Sequence, residues 1–533
     1  MTRRDRWVAP VEDGGILIDP PPDRVGELIE TNRKRLEESK VTILGRPLKE
    51  IRHELQESRA IVADANKWAC NRLAEKWPIR PVIAAGHQPE MYHPGVWIKN
   101  FAIEALAHRF KAAPLNLVVD SDTIKSAAIH VPIWNSDPAE VRRELVAFDH
   151  SPGEEPYVQR PIYDPKQFRE FASSVEAIAL NWPFTPILTE VWRHAVQMLD
   201  DVHRRSLEAS VKEQTPTLMW CLTVARRQWE FKWGCNNREL FLVSLNRRPF
   251  IAHVLQDLPR FHSIYNDCVA AYRRKYKLRS ESHPVPDLAK DGDFLEAPFW
   301  WYDSGPRQRR RLFVRVRPDQ FELRPGFDGE PVAISHRDLP TSGELAERGV
   351  QLYTRALTTT MFIRLFLADL FVHGIGGAKY DEVTDNIIRQ FFGIEPPEYM
   401  VVSGTLYLPF PRFPATAEDH RRIHRQIRDI HWHPEQFIES PGGKVHEWRE
   451  RKLDWLDRQP QSHAEKRERY RMLLSLTESL RPAVAAKEAE AEGQLAKCDQ
   501  ELAANEILFR RDYSFMLYPE TKLKAFCQKL FNV

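Results

Sequence analysis

The residue types best suited to chemistry gather on either side of one apolar helical pattern. Before it lie Gly86-His87-Gln88-Pro89 and His93-Pro94-Gly95, and after it Asp120-Ser121-Asp122. A histidine in a turn that enters a helix can hydrogen-bond a phosphate or carboxylate, or pass a proton near neutral pH. The backbone N–H groups and the positive helix end reinforce anion binding there. His87 is accordingly the candidate proton carrier or anion contact, with Gln88 and His93 beside it as substrate contacts. Capping of the turn is the competing structural role for both histidines. Asp120 and Asp122 could hold an amine, a sugar hydroxyl or Mg²⁺, although Asp122 could equally cap a following helix.

Further along, Gly374-Ile375-Gly376-Gly377-Ala378-Lys379-Tyr380-Asp381 could form an anion-holding nest, with Lys379 adding charge. It lacks the Gly-Lys-Ser/Thr ending of a phosphate loop, and helix C-capping by Gly374 explains it as well. The basic run Arg307-Gln308-Arg309-Arg310-Arg311 reads first as a hairpin edge and second as a site for an acidic ligand. Glu296 stands inside the aromatic run Phe294–Tyr302, where charges seldom sit. His420 and His424 lie one helical turn apart. Their helix is charged all round and has no His-Glu-x-x-His pattern, so a solvated face and no metal site is expected.

These residues need elements to position them. Val82-Ile83-Ala84-Ala85 reads as a buried strand, Val96 to Phe110 as a helix, and Leu115 to Val119 as a second strand. A strand, a crossover helix and a strand make a right-handed parallel unit, which binds ligands at its carboxyl strand ends. Helices are expected over 24–40, 47–77, 166–181, 186–213 and 250–278, with Trp68 and Trp77 packed. Residues 1–20 and 137–165 read as irregular, 129–134 and 216–224 as strands, and 237–246 as either helix or strand. Phe294–Tyr302 and Leu312–Val316 flank a turn and suggest a hairpin. Leu352-Tyr353-Thr354-Arg355 is a short strand, Thr359–His373 an apolar helix, and Tyr380–Phe392 a further helix. Strand candidates follow at 401–402 and 406–408.

The chain has 533 residues, enough for two to four domains. At 42% hydrophobic and 29% charged it falls in the soluble globular class, and a net charge of +2 gives no drive toward nucleic acid. Its 6 cysteines form no Cys-x-x-Cys pair, which argues against a disulfide framework and for a reducing cytoplasm. No apolar run is long enough for a signal peptide or a membrane span. The expected organisation is a helical extension over 1–78, an α/β core with an inserted hairpin over 79–412, a helical arm over 413–510, and an apolar tail over 511–533 that docks on the core. Glu, Lys, Arg, Ala and Leu dominate the arm, part of which reads as coiled coil, and Ile423, Ile427 and Ile430 form a stripe on it.

Four stretches, in order, resemble the cysteine-adding enzyme of bacillithiol biosynthesis, the BshC family. Gly86-His87-Gln88-Pro89 with Pro94-Gly95 and the Lys99 helix is similar to that family's Gly-Gln-Gln segment. Asp120–Asp122 is similar to its acidic strand end. Leu352-Tyr353-Thr354-Arg355, Gly376-Gly377 and Tyr380 are similar to its Arg-containing strand and Gly-Gly segment, and the arm with its tail completes the match. The resemblance implies a Rossmann-like parallel-sheet core with a C-terminal coiled-coil arm, commonly dimeric. It also implies a ligase that joins cysteine to a glucosamine–malate conjugate through an amide bond. On that reading His87, Asp120 and Asp122 are catalytic, while Gln88, His93, Arg355, Gly376, Gly377, Lys379 and Asp381 bind substrate. The sequence names no cofactor, a nucleotide being the class that fits. The expected partners are a small-molecule substrate and a second copy of the chain. The competing readings are a non-catalytic nucleotide- or sugar-binding protein on the same scaffold and a dimeric coiled-coil interaction protein.

Overall fold

A computed structural model describes residues 7–57, 80–150, 153, 155–208, 217–280, 282–305, 307–341 and 343–532. The helix expected over 47–77 is seen as Leu48–Glu57, and its continuation with Trp68 and Trp77 lies outside the described residues.

The centre is a six-stranded sheet. Its strands are β1 (Gly15–Asp19), β2 (Val82–His87), β3 (Ala113–Val118) and β4 (Arg238–Phe241), joined late in the chain by two more. Between β4 and those two, the chain builds a second, antiparallel sheet from β5 (Phe294–Asp303), β6 (Gln308–Val316), β7 (Gln320–Pro325), β8 (Val332–Ser335) and β9 (Val350–Thr354). It then returns to the first sheet as β10 (Leu370–His373) and β11 (Tyr399–Thr405). The first sheet runs β1-β11-β10-β2-β3-β4. Every pair is parallel except β1 with β11, which is antiparallel at the edge. The chain moves outward from β2 through β3 to β4, then crosses back to place β10 and β11 on the other side. Strand order therefore reverses between β2 and β10.

The reading of Val82–Ala85 as a fully buried strand has a direct physical basis. Val82 and Ala84 enter one hydrophobic core and Ile83 and Ala85 the other, so both faces of β2 are covered. A strand buried on both faces shows a continuous apolar run rather than alternation.

The helices relevant to the site are α1 (Val25–Glu37), α2 (Pro94–Arg109), α3 (Leu218–Lys232), α4 (Arg248–Gln256), α5 (Leu258–Lys275), α6 (Ala356–Phe366) and α7 (Ile375–Ile387). Helix α2 connects β2 to β3, as the spacing predicts.

Several expectations are corrected. The apolar stretch 359–373 is not one helix: α6 ends at Phe366, Ala368-Asp369 turns the chain, and Leu370–His373 is strand β10. Periodicity cannot separate a buried strand from a buried helix when both are continuously apolar. The strand expected over 216–224 is helix α3. Leu218, Cys221, Leu222, Ala225 and Trp229 are buried on one face, but Arg226, Arg227 and Glu230 are buried as well, so no amphipathic signal shows. Residues 1–20 hold the edge strand β1, and 137–165 include Arg142–Ala147, which pairs with Ala128–Ile133 in a hairpin. The region 250–278 divides into α4 and α5 at Asp257.

Past residue 413 come α8 (Ala417–Trp432), α9 (Gly443–Asp457) and α10 (His463–Leu508), the last with 46 residues and so roughly 69 Å long at 1.5 Å per residue. Both α8 and α9 pack along α10. Reciprocal caps, Thr416 with Asp419 and Ser462 with Glu465, start α8 and α10. Ile423 and Ile430 are buried, and Ile430 meets Val484 and Ala491 of α10 in a small core of its own.

The terminal segment packs on the first α/β unit. The ring of Phe515 stacks on Trp97 at 4.1 Å between centroids, and Phe515 N–H donates to the Tyr92 carbonyl at 2.9 Å. The Tyr518 hydroxyl donates to the Leu406 carbonyl at 2.7 Å, and helix α11 (Glu520–Gln528) closes the chain.

Candidate functional site

A cavity of about 830 Å³ lies between the carboxyl edge of the parallel sheet and the antiparallel sheet. Its floor is the reversal of strand order between β2 and β10.

On the β2 side, the chain leaves the sheet at His87 and enters α2 at Pro94. His93 is the N-cap, its Nδ1 accepting from Gly95 N–H at 3.1 Å, so the capping role is realised here. Gly95 is required by packing: a Cβ there would lie 2.1 Å from the Gly404 carbonyl oxygen of β11. His87 Nδ1 lies 3.2 Å from the Gln88 carbonyl, and its ring meets Tyr92 edge-on at 4.9 Å. Burial, helped by the Lys99 charge, pushes the His87 imidazole down to about 3, so it is neutral at physiological pH. Burial and Arg511 take His93 to about 4. Lys99 lines the cavity, donates to the Gly86 carbonyl at 3.1 Å, and is lowered by burial to about 8.

On the β10 side, the strand ends at His373, Gly374 is the N-cap, and α7 begins at Ile375. This repeats the strand–turn–helix entry of the first unit. His373 is 4% exposed, and its Nε2 lies 2.9 Å from Asp381 Oδ2. The same oxygen accepts from Arg364 at 2.5 Å, and Thr360 Oγ1 donates to Asp381 Oδ1 at 2.8 Å. Burial opposes ionisation of Asp381, but Arg364 and His373 outweigh it and hold the carboxyl far below the usual range. In a neutral imidazole, pairing with an ionised Asp381 makes His373 Nε2 the donor and leaves Nδ1 as an acceptor. Gly377 keeps that nitrogen clear: a Cβ there would sit 2.8 Å from it.

The opposite wall comes from the antiparallel sheet. Arg309 and Arg311 are two apart on β6 and both line the cavity, as period-two alternation requires. Arg355 follows β9 and caps α6, where its N–H donates to Thr358 Oγ1 at 2.9 Å. Glu296 is fully buried and ties this wall together, bonding Arg355 at 2.7 Å and Arg311 at 2.6 Å. The guanidinium groups of Arg355 and Arg309 lie 4.1 and 4.4 Å from the centre of the Trp300 ring. Arg355 Nη2 is buried without a partner. The basic run thus supplies a cavity wall as well as a strand edge, and Glu296 is the counter-charge that holds it.

The cavity lining includes most of the residues singled out in the sequence: His87, Gln88, His93, Asp122, Arg355, Gly376, Gly377 and Asp381. Asp122 is engaged, accepting from Gln88 Nε2 at 2.7 Å, Arg309 Nη1 at 2.8 Å and Thr123 N–H at 2.9 Å. Although burial works against it, the bonds from Gln88 and Arg309 hold this carboxylate low. Asp120 is not among the lining residues. It is fully buried, Oδ1 accepts from Val243 N–H at 3.1 Å, and Oδ2 has no partner. Burial raises Asp120 to about 7. Lys379 also lies outside the lining; its carbonyl accepts from the Tyr272 hydroxyl.

Sequence reasoning missed His373 as a site residue, placed Arg309 and Arg311 at an acidic-ligand site only as the second reading of their basic run, and passed over the contribution of Arg511 from the tail, which also lines the cavity. The signal for His373 was the second apolar run ending in a glycine-rich turn, the same grammar as Val82–Gly86. Among the described residues no His, Cys, Asp and Glu cluster could hold a metal ion, and no helix is long and apolar enough to cross a membrane. No protein-family model matches the chain, and no curated protein matches it.

Proposed function

We propose that this protein is a Rossmann-like, amide-forming ligase that joins an amino acid such as cysteine to a small sugar-amine acceptor, in the manner of the family it resembles. One observation carries the reading. A carboxylate-fixed imidazole, His373, shares a cavity with the arginine wall at the reversal of strand order, where open parallel sheets bind ligands. Amide formation needs an amine that loses a proton and an acyl carboxylate whose charge is neutralised. His373 Nδ1 is placed to take the proton, and Asp381 stabilises the imidazolium that results. Arg309, Arg311 and Arg355 supply the neutralisation. The C–N bond forms as the C–O bond to the leaving oxygen breaks. A nucleotide, where bound, would activate that oxygen as a leaving group. Arg355, with its unpartnered Nη2, and the amino-terminus of α7 are the groups that would hold its phosphates.

His87 has a different part from the one its sequence position suggests. Held neutral, it serves as a hydrogen-bonding group, and the base role passes to His373. The same neutrality favours the second reading, ligand binding without turnover. The arm acts as a coiled coil and joins two copies through its outer half, where Leu453 and Tyr470 are 37% and 67% exposed. The buried, unpaired cysteines Cys221, Cys235 and Cys527 suit a cytoplasmic setting. The deciding experiment incubates the protein with cysteine, a glucosamine–malate acceptor and ATP, and looks for the amide by mass spectrometry. Amide formation that His373→Gln abolishes supports the ligase. Absence of product with every amino acid and acceptor tried overturns it in favour of the binding protein.

A further inference from the structure

A second cavity, of about 390 Å³, lies where the chain leaving the carboxyl end of β4 meets β8 and β9. Its polar side is built by consecutive arginines. Arg247 is 7% exposed, and its Nε is buried without a partner. Its Nη1 donates to the Leu242 carbonyl. Arg247 is also the N-cap of α4, and the neighbouring Asn246 side chain caps that helix, its Oδ1 accepting from Arg248 N–H at 3.4 Å. Arg248 is exposed and begins it. Among the described residues no carboxylate forms an ion pair with either arginine. Asp120 acts on Arg247 only from longer range. The rest of the lining sets the apolar side chains Leu245, Ile251, Ile334, Leu339 and Leu345 beside the uncharged polar residues Ser244, Asn246 and Gln351.

Leaving a buried guanidinium unpaired is costly, because it gives up hydration without a replacement charge. The start of α4 adds its positive end at the same point. Apart from the two arginines, the lining carries no charged side chain to partner a second charge. We propose that this cavity binds a small aliphatic carboxylate, its head on Arg247, Arg248 and the start of α4 and its chain against the leucine wall. A monoanion suits one buried guanidinium, whose fork matches a carboxylate. The cavity is separate from the first and its ligand is independent of the ligase reading. They share only β9, whose Val350, Gln351 and Leu352 line the second cavity while Thr354, with the Arg355 that follows the strand, lines the first.

Isothermal titration of the full chain with hexanoate tests the proposal, with acetate and 1-hexanol as probes lacking the chain or the charge. Hexanoate should bind in the millimolar range or tighter, and both comparators at least about tenfold more weakly. Arg248→Ala removes one cation, and Ala346→Trp fills the cavity mouth; both positions are exposed, so both variants should fold. Each should weaken hexanoate by about tenfold or more. Arg355→Ala, in the first cavity, should leave hexanoate binding unchanged. Any of three results overturns the proposal: no hexanoate binding to the wild type, binding that survives both Arg248→Ala and Ala346→Trp, or binding that Arg355→Ala removes.

Discussion

Burial sets the protonation state of His87, His93 and Asp120, and that makes their roles testable. His87 and His93 have folded values near 3 and 4 against an ordinary value of 6.5, so the unfolded chain binds protons more readily across that window. Stability from these groups is complete above about 6.5 and falls as pH drops toward 3. His87→Gln should therefore flatten the acid side of the stability profile, measured as denaturation midpoint against pH; an unchanged slope would show that His87 is well solvated. Asp120 has the opposite sign. Its folded value near 7 lies above the ordinary 3.8, so the folded state favours the protonated acid and loses stability as pH rises through 7. Asp120→Asn keeps an acceptor for Val243 N–H and should gain stability relative to wild type above pH 7. For His373, replacement by Gln should lower turnover by about 10²–10⁴-fold, as removal of a positioned proton-transfer group does, with little change in melting temperature. A variant that keeps wild-type turnover would remove His373 from the mechanism.

The elements that hold the site depend on a few tight or buried contacts. Glu296 is fully buried between Arg311 and Arg355, and Glu296→Ala leaves Arg355 buried without its counter-charge. Breaking a buried pair in this way costs about 3–5 kcal/mol, and chemical denaturation should register it. The exposed pair Arg24–Glu27 should contribute about 0–1 kcal/mol. Gly95 governs how closely α2 approaches β11, because a Cβ would meet a backbone carbonyl that cannot move aside. Gly95→Ala should cost about 1–3 kcal/mol as overpacking. A neutral result at either position would mean that the helix or the sheet shifts freely. The helical-arm segments were legible from composition, caps and charge. The β10 strand was hidden because its apolar run continues that of α6 almost without a break.

Assembly of the arm is decided by which apolar side chains remain uncovered. The isoleucine stripe of α8 points to a partner, and α10 of the same chain supplies it by covering Ile423 and Ile430. Self-association then rests on the outer half of the arm. If the proposed homodimer forms there, Tyr470→Glu with Leu453→Glu should convert it to a monomer in analytical ultracentrifugation. A wild-type protein that sediments as a monomer would end the proposal.

The sequence by itself determined what is local. Val82–Ala85, the α2 periodicity and Leu115–Val118 specify one parallel unit, because a doubly buried strand must be apolar throughout and parallel strands need a crossover between them. The glycines at 376 and 377 and the histidine at 87 were visible because turns entering helices use a narrow set of residues. Tertiary structure alone decided which of these meet. His373 became a site residue only when β10 docked beside β2, and Arg309 and Arg311 only when the antiparallel sheet folded over the strand ends. Asp120 and Asp122 are chemically alike in the sequence. Burial raises the first toward neutrality, while Gln88 and Arg309 hold the second ionised. That difference lies in through-space neighbours far away in the chain, which no local pattern encodes.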